Sequence, residues 1–159
     1  MDAITRLANE SWEAMFRAQA TLAREFEFGI DWGDLLPREY GVLYALAGAE
    51  DGLRITDLID DALLTQAGVS RLVARLEKRG LVTRRSDPDD ARACRIVLTA
   101  EGRDVQRYFG RVLAERITTA MTRALSPEQM ETLRELGRAL IAASPAVVSQ
   151  PKATRRNSA

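Results

Sequence analysis

Apolar side chains near the start of the chain recur every three or four residues. This spacing places them on one face of a helix, and it predicts a first helix over residues 3–27 that ends at Gly29. A second helix should begin at Pro37, because proline is favoured in the first turn of a helix. The apolar spacing within residues 54–63 predicts a short third helix.

Residues 66–80 have a clear amphipathic pattern. One side is apolar and the other is polar or small, as expected for a helix that packs one face on a core. Gly80 stands where glycine commonly ends a helix. We therefore predict a fourth helix over this range, with a buried stripe formed by Val69, Leu72, Val73 and Leu76.

Two β-prone runs, residues 81–85 and 95–99, overlap the ends of the sequence RRSDPDDARACR (84–95). Four arginines and three aspartates in this stretch are too costly to desolvate together, so we expect it to face water or a charged partner. Pro88 and the aspartates favour a turn. The segment predicts a β-hairpin whose arginines face a polyanion and whose acids shape the loop.

The remainder of the chain predicts two more helices. Thr99 is a suitable N-cap for a helix over residues 100–124. The sequence SPEQ (126–129) has the form of a capping box with proline at the first helical position, so a last helix should begin there. Residues 144–159 are polar and interrupted by proline, and we predict that they are disordered.

Three helices followed by a hairpin, within a mainly helical chain, are the order of a winged helix-turn-helix. We predict a mainly α fold with a small β-hairpin, in which long N- and C-terminal helices bury their apolar faces against a second copy. The predicted divisions are an N-terminal dimerisation helix and loop over 1–36, a winged helix-turn-helix DNA-binding lobe over 37–99, C-terminal dimerisation helices over 100–143 and the tail over 144–159.

The 23 basic and 23 acidic residues of the chain balance, but they are sorted along it. Residues 1–36 hold seven acids and three bases, whereas residues 66–85 hold six bases and one acid. A concentrated basic segment suits a polyanionic partner. The sorting therefore favours double-stranded DNA as the partner of the fourth helix and the hairpin.

The chain has no histidine and a single cysteine. Without histidine, Ser-His-Asp catalysis and the usual zinc ligand sets are excluded, and we predict no enzyme activity, no metal and no cofactor. One cysteine cannot form an intrachain disulfide. The sequence has neither an apolar run of about 18 residues nor a signal-peptide pattern, so we expect a cytoplasmic protein without a membrane partner.

A helix that enters the major groove needs small residues for close approach and donors for bases and phosphates. The fourth helix has both near its N-terminus, although a solvated amphipathic helix would have a similar polar face. In the hairpin, Arg92 is the candidate for a minor groove, which attracts arginine, and Asp90 is the candidate that orients it. The other DNA-contact candidates are Thr65, Gln66, Ala67, Gly68, Ser70, Arg71, Arg75 and Arg95.

Aromatic residues at helical spacing in the first two helices offer a ligand pocket, with Arg17 as the counter-charge to an anion. The same spacing is typical of ordinary core. Cys94 also has two interpretations, a small residue that fills a strand position or a redox-sensing thiol beside arginines. The aromatic candidates for the pocket are Trp12, Phe16, Tyr40 and Tyr44.

Residues 68–103, GVSRLVARLEKRGLVTRRSDPDDARACRIVLTAEGR, resemble the signature of the MarR (multiple antibiotic resistance regulator) family. The specific part consists of Asp90-x-Arg92, Leu98-Thr99 and Gly102. A weaker resemblance extends over residues 36–143. The resemblance implies a homodimeric winged-helix transcription regulator, most often a repressor, on a pseudo-palindromic operator. It also implies that a small aromatic, often phenolic, anion releases the DNA.

The resemblance assigns roles to positions of this chain. The helix matching residues 66–79 reads the major groove, the arginine matching Arg92 enters the minor groove, and Arg38 lies where family members touch the DNA backbone. The chain departs from the family at its acidic third helix, where a basic residue is common. This departure argues against phosphate contacts from the third helix, whose acidic residues are Asp57, Asp60 and Asp61.

The alternative function is a winged-helix module that binds protein and not DNA, with the acidic N-terminal region as the partner surface. Binding through phosphate contacts weakens steeply with salt, whereas a largely apolar protein interface responds little. Salt dependence therefore separates the two functions.

Overall fold

The structure is a computed structural model that describes residues 2–62, 66–88, 90 and 93–144. Helices occupy both ends of the described chain, and a two-stranded hairpin lies between them. The elements are α1 (Ala3–Gly29), α2 (Pro37–Ala47), α3 (Ile55–Ala62), α4 (Gln66–Lys78), β1 (Val82–Ser86), β2 (Cys94–Leu98), α5 (Ala100–Ala124) and α6 (Pro127–Ala143). This order confirms the predicted winged helix-turn-helix with long helices on either side.

Two helix starts follow from the residues predicted to cap them. The Ser126 hydroxyl accepts the N–H of Gln129 at 3.3 Å, and the Gln129 side chain accepts the N–H of Ser126 at 2.8 Å. This reciprocal pair is a capping box. At the start of α5, Thr99 Oγ1 accepts the N–H of Gly102 at 3.0 Å. Both predicted N-caps are confirmed.

The end of α4 is a Schellman turn around Gly80. Gly80 has a φ of 73°, in the left-handed region that favours glycine. The N–H groups of Gly80 and Leu81 donate to the carbonyls of Glu77 and Leu76 at 2.9 and 3.0 Å, the two hydrogen bonds of that motif. This turn ends the helix shortly before the predicted boundary and directs the chain into β1.

The hairpin pairs β1 and β2 antiparallel, with Val82 opposite Leu98 and Ser86 opposite Cys94. Compared with the prediction, β1 is shifted one residue later and β2 one residue earlier. Leu53, which precedes α3, exchanges two backbone hydrogen bonds with Ile96, at 3.0 and 2.8 Å. The segment between α2 and α3 therefore pairs with the outer edge of β2 and fixes the base of the hairpin.

The core lies among α2, α3, α4 and the hairpin, each of which contributes apolar side chains to one cluster. Three of the four residues in the predicted α4 stripe are fully buried, and Leu72 packs at the edge of the cluster. Burial of this stripe decides which side of α4 faces outward. The buried side chains of the cluster include Leu43, Leu46, Leu58, Val69, Val73, Leu76, Leu81 and Ile96.

The helices α1 and α6, both described over their full length, each expose a row of large apolar side chains. Neither helix has a buried residue. Single exposed apolar residues are ordinary, but a row along a helix marks an interaction surface. The exposed side chains include Ile4, Leu7, Trp12 and Phe16 on α1 and Leu133, Leu136, Leu140 and Ile141 on α6. Their predicted burial against a second copy stays a prediction.

The chain divides into two compact units between Ala120 and Met121, within α5. The predicted division into functional regions at residues 36, 99 and 143 stays a prediction. The disorder predicted for residues 144–159 concerns a segment that, beyond Ser144, lies outside the described residues. In the part of the chain that is described, no helix has an apolar stretch long enough to cross a membrane.

Candidate nucleic-acid interface

The outward side of α4 lies opposite its buried stripe. Arg71, Ala74 and Lys78 are exposed on this side, and Gly68 and Ser70 near the N-terminal end are half-buried. The helix therefore presents a guanidinium among small residues, which suits close approach to the edges of bases in a groove. Gly68, Ser70 and Arg71 lie on this outward side of α4, and their contact with DNA stays a prediction.

Several of the predicted DNA-contact residues fall outside what the structure describes. Thr65 and Arg92 are not among the described residues, and neither are the side chains of Gln66 and Ala67, whose backbone begins α4. Asp90 is exposed, and its carbonyl accepts the N–H of Ala93 at 2.9 Å. Asp90 thus takes part in the hairpin loop, and its predicted pairing with Arg92 stays a prediction.

A buried carboxylate lies behind α4 that the sequence analysis did not identify. Glu39, in the first turn of α2, has no exposed surface. Its Oε1 lies 2.9 Å from Arg75 Nε, and its Oε2 lies 3.3 Å from Arg79 Nη1. Burial of one charge is tolerable only with such partners, so these two ion pairs connect α2 to α4. Arg75, predicted to contact DNA, therefore has a protein partner already.

A second buried carboxylate lies at the base of the hairpin. Asp87 is 3% exposed, and its Oδ2 lies 2.6 Å from Arg54 Nε and 3.0 Å from Arg95 Nε. The hydrogen bond to Asp87 is the main cause that raises the pKa of Arg54. The expectation that the whole stretch 84–95 faces water or a partner is therefore wrong for Asp87. Two guanidiniums neutralise it, which lowers the cost of its burial.

This pair changes the interpretation of Arg95. The Arg95 side chain was predicted to contact DNA, but it is 25% exposed and its Nε is bound to Asp87. Arg54, on the segment before α3, reaches the same oxygen. Asp87 thus joins the hairpin to the entry of α3, so Arg95 has a structural partner, and its predicted DNA contact stays untested.

Arg84 and Cys94 meet across the hairpin. Arg84 Nε donates to Glu77 Oε2 of α4 at 3.1 Å, and this hydrogen bond is the main cause that raises the pKa of Arg84. Its Nη1 donates to Cys94 Sγ at 3.7 Å. Cys94 is half-buried. Because Arg84 bonds both Glu77 of α4 and the Cys94 sulfur, this sulfur takes part in the contact between the hairpin and α4.

Aromatic rings line two open depressions beside α2. The Trp32 ring stacks on Phe109 of α5 with centroids 5.2 Å apart and lies 5.7 Å from the Tyr40 ring. Tyr40 and Leu113 border both depressions, which have volumes of about 300 and 280 Å³. Burial raises the pKa of Tyr40.

The predicted ligand residues fall into two groups. Tyr40 and Tyr44 line the larger depression together with residues of α5. Trp12, Phe16 and Arg17 line neither depression. Trp12 and Phe16 stack on each other along α1 with ring centroids 6.4 Å apart. Arg17 Nη2 lies 2.6 Å from Glu13 Oε1 in the same helix. Within one copy of the chain, the five residues are therefore not brought together.

Arg38 lines the smaller depression together with Trp32 and Leu113, which the sequence analysis did not assign to a site, and Phe109 stacks on Trp32. Arg38, predicted as a DNA-backbone contact, is exposed and borders this depression. Trp32 stands in the irregular segment before α2, where no periodic pattern indicates its role. Phe109 and Leu113 follow the helical spacing of α5, which predicts ordinary core. The one signal in the sequence was a tryptophan in the short segment between α1 and α2.

Comparisons with known proteins identify relatives of the central part of the chain. A family model described as the MarR family matches residues 34–93. The transcriptional regulator HosA of Escherichia coli O127:H6 (strain E2348/69 / EPEC) is 35% identical over 94 residues, which are 52% of this chain and 69% of HosA. HosA of Escherichia coli O111:H- is 40% identical over 72 residues, which are 45% of this chain and 53% of that relative.

Solved structures resemble the chain over a greater length. Sco3205, a MarR family transcriptional regulator from Streptomyces coelicolor in complex with DNA, is 29% identical with a TM-score of 0.75, and the match covers 95% of this chain and 94% of Sco3205. BpsR of Bordetella bronchiseptica, whose DNA binding is regulated by 6-hydroxynicotinic acid, is 26% identical with a TM-score of 0.70, and the match covers 83% and 93%. The likeness therefore includes helices outside residues 34–93.

Proposed function

The chain belongs to the MarR family, and on this premise we propose that it is a homodimeric, sequence-specific DNA-binding repressor that a small aromatic anion releases from its operator. One observation carries the proposal. The buried stripe of α4 turns Arg71 outward beside a hairpin rich in arginine, in a chain that resembles Sco3205, which was solved with DNA, at 29% identity.

The proposed contact with DNA uses two elements. The helix α4 enters the major groove, where the donors near its N-terminal end and Arg71 reach base edges. The hairpin follows the phosphate backbone, and Arg92 at its loop enters the adjacent minor groove, where the negative potential favours arginine. Residues 66–85 have a net positive charge, which supports the proposal that α4 and the hairpin face the DNA, because phosphate contacts dominate the affinity for DNA.

A pseudo-palindromic operator requires two copies of α4, and the apolar rows on α1 and α6 supply the means of dimerisation. In a single copy of the chain, the large apolar side chains of both rows are exposed to solvent. Burying apolar surface contributes roughly 25 cal/mol per Å², and a symmetric dimer buries each row twice. We infer that these rows form the interface, so that two recognition helices are held at a fixed spacing.

The depressions beside α2 are the proposed ligand site. Phe26, Trp32 and Tyr40 line the smaller depression with aromatic rings. Arg38 at its border offers a counter-charge to an anion, although Glu27 also belongs to the lining. This lining supports an aromatic carboxylate or phenolate as the ligand. BpsR, whose DNA binding responds to 6-hydroxynicotinic acid, gives a ligand of this class for comparison. A ligand here would contact the first turn of α2, whose Glu39 is paired with α4, and could thereby alter the position of the recognition helix.

Selection from a pool of random DNA duplexes tests the proposed function. The purified protein should enrich an inverted repeat whose half-sites lie about one helical turn apart, centre to centre. Arg71→Ala should relax the base preference at one position in each half-site. Failure of the wild-type protein to enrich any sequence would contradict the proposal and favour the protein-interaction module.

A further inference from the structure

The buried Glu39 is arranged so that its charge acts on one exposed arginine. Its side chain has no exposed surface. Oε2 accepts the N–H of Leu36 at 2.9 Å and a hydrogen bond from Arg79 Nη1 at 3.3 Å. Arg79 Nη1 also donates to the carbonyl of Asp34 at 3.0 Å. One oxygen of Glu39 is thus fixed by the backbone and by Arg79.

The other oxygen of Glu39 faces Arg75. Arg75 Nε lies 2.9 Å from Oε1, yet Oε1 receives no hydrogen bond within the described residues. The Arg75 side chain is 54% exposed, and it stands one helical turn after Arg71 on α4. The contact is therefore an ion pair that restrains the guanidinium at its Nε end and leaves much of the side chain in water.

We propose that Glu39 is a positioning residue for DNA binding, which orients Arg75 so that its two terminal nitrogens reach a DNA phosphate. This inference rests on the proposed DNA-binding function. An arginine held at Nε loses less rotamer freedom when it binds phosphate than one that is free in solution.

Arg79 has a different part in this arrangement. It supplies the second positive charge that makes a buried carboxylate tolerable, and it ties the end of α4 to the segment before α2. Its side chain is less exposed than that of Arg75, 34% against 54%. Arg79 is therefore the matched control: it shares the partner Glu39, but its role is in the connection between α2 and α4.

A double-mutant cycle on operator affinity tests the proposal. Operator duplexes obtained by selection are titrated with the wild-type protein, Glu39→Gln, Arg75→Ala and the double variant. Glu39→Gln should weaken binding by about tenfold, the order of one oriented contact. In the Arg75→Ala background the same substitution should have almost no effect, because the residue through which Glu39 acts is gone. In the Arg79→Ala background its effect should persist.

A purely structural role for Glu39 gives a different result. Glu39→Gln would then lower the thermal midpoint of unfolding and weaken DNA binding equally in the wild-type and Arg75→Ala backgrounds, and that outcome overturns the proposal. If the wild-type protein and Glu39→Gln bind the operator with the same affinity, the positioning role of Glu39 is overturned, while the proposed DNA-binding function stands. Absence of wild-type binding overturns both.

A second variant keeps the test decisive if Glu39→Gln fails to fold. Arg75→Lys retains the positive charge and leaves Glu39 intact, but lysine lacks the planar fork that can be held at one nitrogen and donate from two others. Arg75→Lys should therefore lose most of the affinity that Arg75→Ala loses. Affinity equal to that of the wild-type protein would show that charge alone suffices, which contradicts positioning by Glu39.

Discussion

At the scale of single residues, Gly102 shows how closely α5 approaches the hairpin. A methyl group at this position would overlap the carbonyl of Leu81. Alanine normally stabilises a helix relative to glycine by about 0.5–1 kcal/mol, but here the backbone would have to shift. Gly102→Ala should lower the free energy of unfolding by about 1–3 kcal/mol, measured by urea denaturation.

Gly41 is the matched control, because an added Cβ meets no atom within 4 Å in the middle of α2. Gly41→Ala should leave stability unchanged or raise it by up to about 1 kcal/mol. Equal effects of the two substitutions would contradict the close approach of α5 to Leu81.

Asp87 gives a second prediction at this scale. Asp87→Ala leaves Arg54 and Arg95 without their shared acceptor, but both arginines have partial access to water. The loss should therefore be about 1–3 kcal/mol of unfolding free energy, less than for a wholly buried pair. Urea denaturation measures it, with Asp104→Ala as the control.

Asp104 also pairs with an arginine, Arg107, but on the surface, with a side chain that is 70% exposed. Its removal should cost at most about 0.5 kcal/mol. If Asp87→Ala lowered the free energy of unfolding no more than Asp104→Ala does, the ion pairs of Asp87 would not hold the hairpin to the segment before α3 in solution.

The two buried carboxylates explain why part of the candidate site could not be predicted from the sequence. Arg54 and Asp87 are 33 residues apart, and Glu39 and Arg79 are 40 residues apart. Local patterns indicate which residues share a helix face, but not which charges the fold brings together. Glu39 precedes Leu43 and Leu46 by four and seven residues, a spacing that places it on the buried face of α2. The spacing does not indicate which arginines pair with it. Arg71, by contrast, is exposed simply because it lies opposite a periodic apolar stripe.

At the scale of elements, the patterns predicted each described helix and both strands. Capping residues fixed the starts of α5 and α6, because a side-chain acceptor at the N-cap satisfies a backbone N–H that the helix leaves unpaired. The observed strands are each offset by one residue from the predicted bounds. Leu53 pairs with Ile96, and local patterns do not indicate such a contact between distant segments. The same limit applies to Trp32, whose partner Phe109 lies on α5.

The hairpin as a wing gives a prediction for Arg92. Arg92→Ala should weaken operator binding by about 1–3 kcal/mol while circular dichroism shows an unchanged fold. Arg17→Ala, which also removes one positive charge but from an intrahelical pair on α1, should have little effect on affinity. Equal affinity of the wild-type protein and Arg92→Ala would remove the wing from the DNA contact.

The depressions beside α2 give a prediction that the two tryptophans of the chain make measurable. Trp32 borders the smaller depression, whereas Trp12 is on α1 and is 63% exposed. In Trp12→Phe, a titration with 6-hydroxynicotinate or benzoate should quench the remaining Trp32 fluorescence in a saturable manner. A saturable response that persists in Trp32→Phe and is absent from Trp12→Phe would place the ligand elsewhere.

At the scale of the whole molecule, the apolar rows on α1 and α6 predict a dimer. Leu136→Glu places a charge within the α6 row, where burying leucine contributes about 1.5–3 kcal/mol per copy. A symmetric interface loses this contribution twice, so the dimer dissociation constant should rise roughly 100-fold or more. Sedimentation equilibrium measures it.

Arg138→Glu, two residues further along and outside that row, changes the charge more but should leave the dimer intact. A wild-type protein that sediments as a monomer at micromolar concentration would contradict the proposed assembly. Dissociation by Arg138→Glu to the same extent as by Leu136→Glu would indicate a general charge effect and not loss of the apolar row.

The membership of the family was already indicated by residues 68–103, because Asp90-x-Arg92, Leu98-Thr99 and Gly102 stand at the spacing of the signature, and the comparisons confirm it. Thr99 and Gly102 have visible physical roles, the cap of α5 and its close approach to Leu81. The signature within residues 68–103 does not indicate the buried ion pairs of Glu39 and Asp87, because Glu39 lies outside it and Arg54, a partner of Asp87, also lies outside it.

Binding of the purified, ligand-free protein to the DNA upstream of its own gene, with excess unrelated competitor and at 50 and 200 mM salt, tests the proposed regulator as a whole. A dimer that neutralises about 6–10 phosphates should form a discrete, competitor-resistant complex whose affinity falls by about 10³–10⁵ between the two salt concentrations. A complex that competitor removes and salt leaves unchanged would contradict the proposal of a sequence-specific DNA-binding regulator. So would the absence of a complex at the lower salt concentration together with failure to enrich any sequence from random duplexes.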